Sequence, residues 1–310
     1  MLRGRARPPI GNERAPYADE MATTQLGDIA VYYEQAGAGE RLLCISGTGG
    51  DLRNRPSVFE GPLGRHFEIL AYDQRGLGQT SVPDGPYTMA HYADDAAALL
   101  ADRGWDSCLV MGVSFGGMVA QELAIRHPAR VRRLVLACTS SGGAGGASAP
   151  FDELAALRGA ARATRQIEMM DTRWDDARRR SHATEWKTMV DAMSGYLRSG
   201  EPTPEATRGA ALQLEARRHH DTWERLATIG CPTLVCGGNF DGIAPSQNAR
   251  FLAAQIAGAE LALFDGGHQF LWQDRAAYQR ILEFLSGAPR RDGPPGDQAT
   301  QGTTMSEVRP

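Results

Sequence analysis

Short apolar runs alternate along the chain with longer segments in which apolar residues recur at helical spacing. The apolar runs predict strands at residues 29–37, 41–46, 67–73, 107–113, 131–139, 231–238 and 259–265. The helical patterns lie at residues 89–104, 116–128 and 275–287. Because apolar strands alternating with helices are typical of a covered parallel sheet, we predict an α/β fold with a mostly parallel central sheet flanked by helices.

The alternation is interrupted between residues 142 and 223. A connector rich in Gly and Ser is followed there by a stretch rich in Ala, Arg and Glu without a convincing strand. We therefore predict a helical cap, or lid, at residues 142–223, inserted between the core segments 22–141 and 224–288. Residues 1–21 and 289–310 are expected to be a disordered extension and tail, and Met1 and Met21 are both left open as the true start.

Composition excludes several function classes. A net charge of −4 without a dense Lys/Arg stripe argues against a nucleic-acid partner, and no apolar run is long enough to imply a membrane partner. No apolar stretch follows the arginines near the N-terminus, so no secretory signal is predicted. Five cysteines without a C-x-x-C pair indicate buried free thiols in a reducing, cytoplasmic location, and give little support for a metal site.

The sequence Gly-Val-Ser-Phe-Gly at residues 112–116 matches the pattern G-x-S-x-G between an apolar strand and a helix. A sharp strand-to-helix turn holds its serine in a strained conformation, and glycines beside it avoid a clash. Ser114 is therefore the candidate nucleophile. The alternative is a strand-to-helix turn that merely contains a serine.

A serine hydroxyl is a weak nucleophile, so a general base and an orienting acid are needed. Asp241 follows the strand at residues 231–238, and His268 follows the next strand in a glycine-rich loop. Both are expected at the same sheet edge as Ser114. Asp265 and Asp221 remain alternative acids, with Asp241 then a helix N-cap, and a purely structural His268 is the remaining alternative.

The oxyanion formed during acyl transfer needs backbone N–H donors. We expect one donor at Phe115, directly after the nucleophile, and the other at Thr48 in the loop after an early strand. Gly49 is the next candidate donor, and Gly47 and Gly49 are expected to contact substrate. The alternative is a plain glycine-rich turn. Two further residues after the third predicted strand, Asp73 and Arg75, are expected to be structural rather than catalytic.

Five motifs in this order resemble those of the α/β-hydrolase superfamily: SGTGG at 46–50, DQRGLGQT at 73–80, GVSFGG at 112–117, FDGIAP at 240–245 and GGH at 266–268. The resemblance covers residues 29–285 and implies a Ser114, His268 and Asp241 triad with a helical cap between two halves of the core. Residues 112–137 are similar to the 3-oxoadipate enol-lactonase group and related small esterases. Ser46 stands where many of these relatives have a histidine.

The sequence therefore predicts a serine hydrolase that cleaves a small-molecule carboxylic ester or lactone through an acyl-enzyme, without a cofactor or metal. A carbon–carbon bond hydrolase or an acyltransferase on the same triad remains an alternative reaction. A ligand-binding protein with little turnover is the alternative from another class. A homodimer is left open. The tryptophans of the predicted cap are expected to form its core, and the alternative is that they line the pocket.

Overall fold

A single eight-stranded sheet forms the centre of the protein, in the order β1-β2-β4-β3-β5-β6-β7-β8. The computed structural model describes residues 20–197 and 202–288, so the predictions for residues 1–19 and 289–310 lie outside the described residues. The strands are β1 (Glu20–Leu26), β2 (Ile29–Ala36), β3 (Glu40–Ile45), β4 (Phe67–Tyr72), β5 (Cys108–Val113), β6 (Val131–Ala137), β7 (Thr233–Gly238) and β8 (Glu260–Phe264). The pairs β1–β2 and β2–β4 are antiparallel and the other pairs are parallel, which confirms the predicted mostly parallel sheet.

Alternate residues of the central strands face two different apolar layers. In β5, Val110 packs in one layer, while Leu109 and Met111 pack in the other. Both faces are buried, which explains why β5 is an unbroken apolar run rather than an alternating one. The sheet is thereby fixed in register, because a shift by one residue would exchange the two layers.

Helices cover both faces of the sheet. The core helices are α1 (Met89–Asp102), α2 (Phe115–Arg126), α8 (Ser246–Gln255), α9 (Phe270–Gln273) and α10 (Arg275–Leu285). Residues of α1, α2 and α8 pack in one layer, and residues of α10 pack in the other. Among the described residues, no helix combines the length and the apolar character needed to cross a membrane.

Five α-helices lie among the described residues between β6 and β7, where the sequence pattern is interrupted. They are α3 (Asp152–Ala156), α4 (Gly159–Met170), α5 (Asp176–Ser181), α6 (Ala183–Leu197) and α7 (Pro204–Arg218). Apart from residues 198–201, the backbone of this segment is described, and the part described contains no strand. We call residues 142–223 the inserted segment.

Candidate active site

The candidate nucleophile lies in a sharp turn between β5 and α2. Ser114 has φ 55° and ψ −115°, a conformation that costs a residue with a side chain about 1–3 kcal/mol. Its carbonyl oxygen accepts a hydrogen bond from Thr139 Oγ1 at 2.8 Å, which ties the turn to the end of β6. A Cβ added at Gly112 would lie 2.2 Å from the carbonyl oxygen of Gly116, and one added at Gly116 would lie 2.1 Å from that of Ile45. Glycine is therefore required at both positions.

Three sequence-predicted side chains form a continuous chain of hydrogen bonds. Ser114 Oγ lies 3.0 Å from His268 Nε2, and His268 Nδ1 lies 2.7 Å from Asp241 Oδ2. An ionised carboxylate only accepts hydrogen bonds, so Nδ1 carries the proton and Nε2 is left to accept from the serine hydroxyl. The arrangement can activate the hydroxyl as a nucleophile. It unites residues 154 and 27 positions apart in the chain.

The carboxylate of Asp241 is fixed from both of its oxygens. Oδ1 accepts from the backbone N–H groups of Ile243 and Ala244, each at 2.8 Å, while Oδ2 accepts from His268. The side chain is fully buried, so the carboxylate is oriented by its hydrogen bonds rather than by solvent. The alternative acids, Asp265 and Asp221, are occupied elsewhere. Their carboxylates bind Arg173 and the Trp223 N–H.

The loop that carries His268 rests on the inserted segment. The His268 N–H donates to the Met170 carbonyl oxygen at the end of α4, at 2.6 Å. The same helix end contacts the loop of the acid, because the Thr172 N–H donates to the Phe240 carbonyl oxygen at 2.9 Å. A Cβ added at Gly267 would lie 2.1 Å from the Met170 oxygen, so this contact is close. The end of helix α4 thus helps to position the loops of His268 and Asp241, the candidate base and acid.

The loop after β3 lies against the candidate nucleophile, Ser114. A Cβ added at Gly47 would be 3.5 Å from Ser114 Cβ. The ring of Phe115 is fully buried and packs edge-on against Tyr92, with 5.0 Å between ring centroids, which fixes the start of α2. Phe115 is the first residue of α2, where a helix leaves backbone N–H groups without intrahelical partners. The two predicted donor segments therefore flank Ser114.

The backbone N–H groups of the two candidate donors, Thr48 and Gly49, differ in their hydrogen bonds. The Gly49 N–H donates to Gln213 Oε1 at 2.9 Å, so it is already engaged. In the part of the chain that is described, the Thr48 N–H has no protein acceptor. Gly47, Thr48 and Gly49 all line a cavity of about 350 Å³ between this loop and Leu271.

The loop after β4 has a structural role. Asp73 Oδ1 accepts from the Leu52 N–H at 2.7 Å, and burial raises the pKa of this carboxyl to about 6. Arg75 forms a buried two-point ion pair with Asp95, at 2.6 and 2.7 Å. These contacts agree with the structural roles expected for Asp73 and Arg75, which stay a prediction. Gln74, which the sequence did not single out, donates from its Nε2 to the carbonyl oxygen of Ser46 at 2.8 Å.

A second cavity, of about 520 Å³, lies between the inserted segment and the loop after His268. It is lined mainly by apolar side chains of the inserted segment, with Gln269 and Gln273 from the core. Trp174 lines this cavity and also packs against Trp186, with 5.5 Å between ring centroids. Trp174 therefore both packs within the inserted segment and lines a cavity, the two roles considered for the tryptophans of the predicted cap. Trp223 packs against Phe251 of the core helix α8.

One group of side chains has the separation of metal ligands. The ligand atoms of Cys138, Asp241 and His268 lie within 4.8 Å of one another, the one such group found among the described residues. Metals bind the thiolate form of cysteine, and burial raises the pKa of the Cys138 thiol well above its usual value. This environment favours the protonated thiol and the hydrogen bond between Asp241 and His268. The absence of a metal stays a prediction.

Comparison with known proteins identifies the family. The family described as "alpha/beta hydrolase fold" matches residues 40–274. The chain is 30% identical over 253 residues to the poly(3-hydroxyalkanoate) depolymerase of Ectopseudomonas oleovorans, covering 81% of this chain and 86% of that protein. It is 26% identical over 267 residues to 3-oxoadipate enol-lactonase 2 of Acinetobacter baylyi, covering 83% and 92%.

A solved enol-lactonase from Burkholderia xenovorans superimposes with a TM-score of 0.67 at 23% identity, covering 86% of this chain and all of that one. The resemblance to enol-lactonases expected from residues 112–137 is confirmed by the Acinetobacter baylyi relative. The ordered motifs, the mostly parallel sheet and the family match agree. The chain is therefore an enzyme of the alpha/beta hydrolase fold family.

Proposed function

We propose that this enzyme is a serine hydrolase that cleaves a carboxylic ester or lactone through an acyl-enzyme intermediate. The observation that carries the proposal is the chain of hydrogen bonds from Ser114 through His268 to Asp241. The names of two relatives support the substrate class. A poly(3-hydroxyalkanoate) is a polyester and an enol-lactone is a cyclic ester, so both relatives are named for ester substrates.

In the proposed reaction, Ser114 Oγ attacks the substrate carbonyl while His268 Nε2 takes its proton. Asp241 stabilises the imidazolium that results. The N–H groups of Phe115 and Thr48 hold the oxyanion, a contribution of about 3–4 kcal/mol per donor in comparable sites. His268 then returns its proton to the leaving alkoxide, and a water that it activates releases the acid. Every step uses groups of this chain and no cofactor.

The inserted segment is proposed to act as a cap that selects the substrate. It supplies Trp174, Met170 and further apolar residues to the cavity beside Gln269, directly after the proposed base. A pocket with apolar walls and a few fixed polar groups suits an ester with a hydrocarbon acyl or alcohol portion. Gly47 and Gly49, which line the cavity of about 350 Å³, are proposed to contact the substrate near its carbonyl group.

We propose a reducing, cytoplasmic location for this enzyme. Its proposed partner is a small-molecule ester or lactone substrate, without a nucleic-acid or membrane partner. All five cysteines are free thiols, and four of them are buried. Such thiols persist in a reducing compartment. Native mass spectrometry would test the open question of a homodimer.

A serine-directed fluorophosphonate tests the proposed nucleophile. We expect one label per chain, its loss in Ser114→Ala, and undiminished labelling in the matched control Ser140→Ala. Ser140 is also buried, but its hydroxyl pairs with Ser148 and not with a histidine. Labelling that survives in Ser114→Ala would refute the assignment.

The bond that is cleaved is tested with lactones, natural esters and vinylogous diketones in water enriched in heavy oxygen. Hydrolysis through an acyl-enzyme places one labelled oxygen in the product acid. Preferred cleavage of the diketones would favour a carbon–carbon hydrolase. Product formation that requires an added alcohol or thiol would favour an acyltransferase.

A further inference from the structure

Gln213 of the inserted segment contacts the loop of the proposed oxyanion hole. Its Oε1 accepts the hydrogen bond of the Gly49 N–H at 2.9 Å, across 164 positions of sequence. The side chain is 1% exposed, so the bond is shielded from competing water. Gly49 directly follows Thr48, which is the proposed donor to the oxyanion.

The bond acts on a tight turn formed by residues 47–50. The Gly50 N–H donates to the Gly47 carbonyl oxygen at 3.1 Å, and Gly49, at the third position, has φ +70°. This combination is that of a type II turn, which differs from a type I turn mainly by rotation of the central peptide through about 180°. The central peptide joins Thr48 to Gly49. A partner for the Gly49 N–H therefore decides which way this peptide faces.

Helix α7 is itself held firmly on the core at this point. A Cβ added at Gly209 would lie 1.9 Å from the Gly76 carbonyl oxygen, so the two backbones are in direct contact. One turn along the helix, Leu212 packs against Gly85. These contacts place Gln213 independently of its own hydrogen bond. The acceptor is therefore available before substrate arrives.

A second buried glutamine holds the other end of the same loop. Gln74 is fully buried, and its Nε2 donates to the Ser46 carbonyl oxygen at 2.8 Å. Within residues 20–197 and 202–288, Gln74 Oε1 and Gln213 Nε2 have no hydrogen-bond partner, although both are buried. Such unpaired atoms are costly, so packing alone gives no reason for amides at these positions. Their common feature is the loop of residues 46–49 between them.

We propose that Gln213 is a positioning residue for the oxyanion hole. By accepting from Gly49, it holds the central peptide in the type II orientation and so anchors the turn directly after the Thr48 N–H, which lies on the preceding peptide. It also removes the Gly49 N–H from competition for the oxyanion. The proposal rests on the proposed function, because it assigns Thr48 as a donor to the tetrahedral intermediate.

The test replaces Gln213 with methionine, which has a similar length but no acceptor oxygen. We expect kcat to fall about tenfold to a hundredfold, less than or equal to the loss of a whole oxyanion donor. Affinity for an arylboronic acid that mimics the tetrahedral intermediate should fall by a similar factor. Substrate affinity, measured in the Ser114→Ala background with and without Gln213→Met, should change less than about twofold, because the bond acts in the transition state.

Gln121→Met is the matched control. Gln121 is also fully buried and binds the Ser140 carbonyl oxygen and Thr222, away from the oxyanion loop. The Gln121→Met substitution removes a buried amide of the same size and should leave kcat and boronate affinity near those of the parent enzyme. Gln213→Asn keeps the amide but shortens its reach, and it is expected to lower kcat in the same direction. It also serves as the second variant if the methionine variant does not fold.

The results separate the two proposals. An enzyme that hydrolyses its substrate and is labelled at Ser114, but keeps the parent kcat in Gln213→Met and Gln213→Asn, overturns the role of Gln213 alone. An equal loss in Gln121→Met, or a matching loss of substrate affinity, also overturns it. A parent enzyme that is neither labelled nor active overturns both proposals.

Discussion

Replacing Ser114 with glycine is expected to give a more stable protein than replacing it with alanine, while both changes abolish activity. The φ of 55° at Ser114 lies in the region that disfavours any residue with a Cβ, and glycine adopts it without a steric penalty. Ser114→Ala is the matched control, because both variants lose the hydrogen bond to His268 at 3.0 Å. Only the glycine variant also relieves the backbone. The comparison therefore isolates the strain that the nucleophile position imposes.

The expected difference follows from two opposing terms. A side chain in such a backbone conformation costs about 1–3 kcal/mol. Glycine loses about 0.5–1 kcal/mol more conformational free energy on folding than alanine. From the middle of the two ranges, Ser114→Gly should therefore unfold with a free energy about 1 kcal/mol higher than that of Ser114→Ala.

Urea denaturation followed by tryptophan fluorescence measures this difference. Both variants should have the same m-value, since they expose the same surface, and the midpoint for Ser114→Gly should lie at the higher urea concentration. Circular dichroism spectra that superimpose would show that the folds are equivalent. A glycine variant that is no more stable than the alanine variant would refute the idea that the turn stores strain.

Two further predictions concern the acid and a buried histidine. Asp241→Asn should lower kcat by about four orders of magnitude with little change in stability, because the amide no longer holds His268 in the required tautomer. Steady-state kinetics on the preferred ester would measure this loss. A loss below about tenfold would point to another carboxylate as the acid. Burial lowers the pKa of His220 to about 4, below its unfolded value of about 6.5, so its contribution to stability is present above about pH 6.5 and is lost as the pH falls toward 4. The stability of the parent enzyme relative to His220→Gln should therefore fall by about 2 kcal/mol between about pH 7 and pH 5 in urea titrations, and a constant difference would contradict it.

The three candidate catalytic side chains can be recognised from sequence for a local reason. Ser114, Asp241 and His268 each follow an apolar strand closely, and parallel strands bring their carboxyl ends to one edge of the sheet. The strand pattern alone therefore predicts that they lie together. By contrast, the sequence did not predict β1, which begins at Glu20, inside the predicted extension. The strand gives no apolar pattern because it carries polar residues and pairs only with β2 at the sheet edge.

Gln213 was not predictable in the same way. It lies on a helix rich in charged residues, and nothing adjacent to it in sequence marks it as different from a surface glutamine. Its burial depends on close contact between Gly209 and Gly76, which are far apart in the chain. Gln74 lies inside the DQRGLGQT motif, but its hydrogen bond to the Ser46 carbonyl oxygen was equally unpredictable from sequence. A role created by tertiary packing leaves no local signal.

The contact between α4 and the loop of His268 bears on how new specificities arise in this protein. A segment that only covered the pocket would be interchangeable with that of a relative. Here, however, the Met170 carbonyl oxygen accepts from the backbone of His268, so the segment also helps to hold the proposed base in place. On the proposed role of the segment as a cap, insertions or exchanges upstream of Met170 would alter which molecules enter. On the same proposal, changes at the end of α4 would alter turnover for every substrate, so substrate choice and turnover would depend on different parts of the inserted segment.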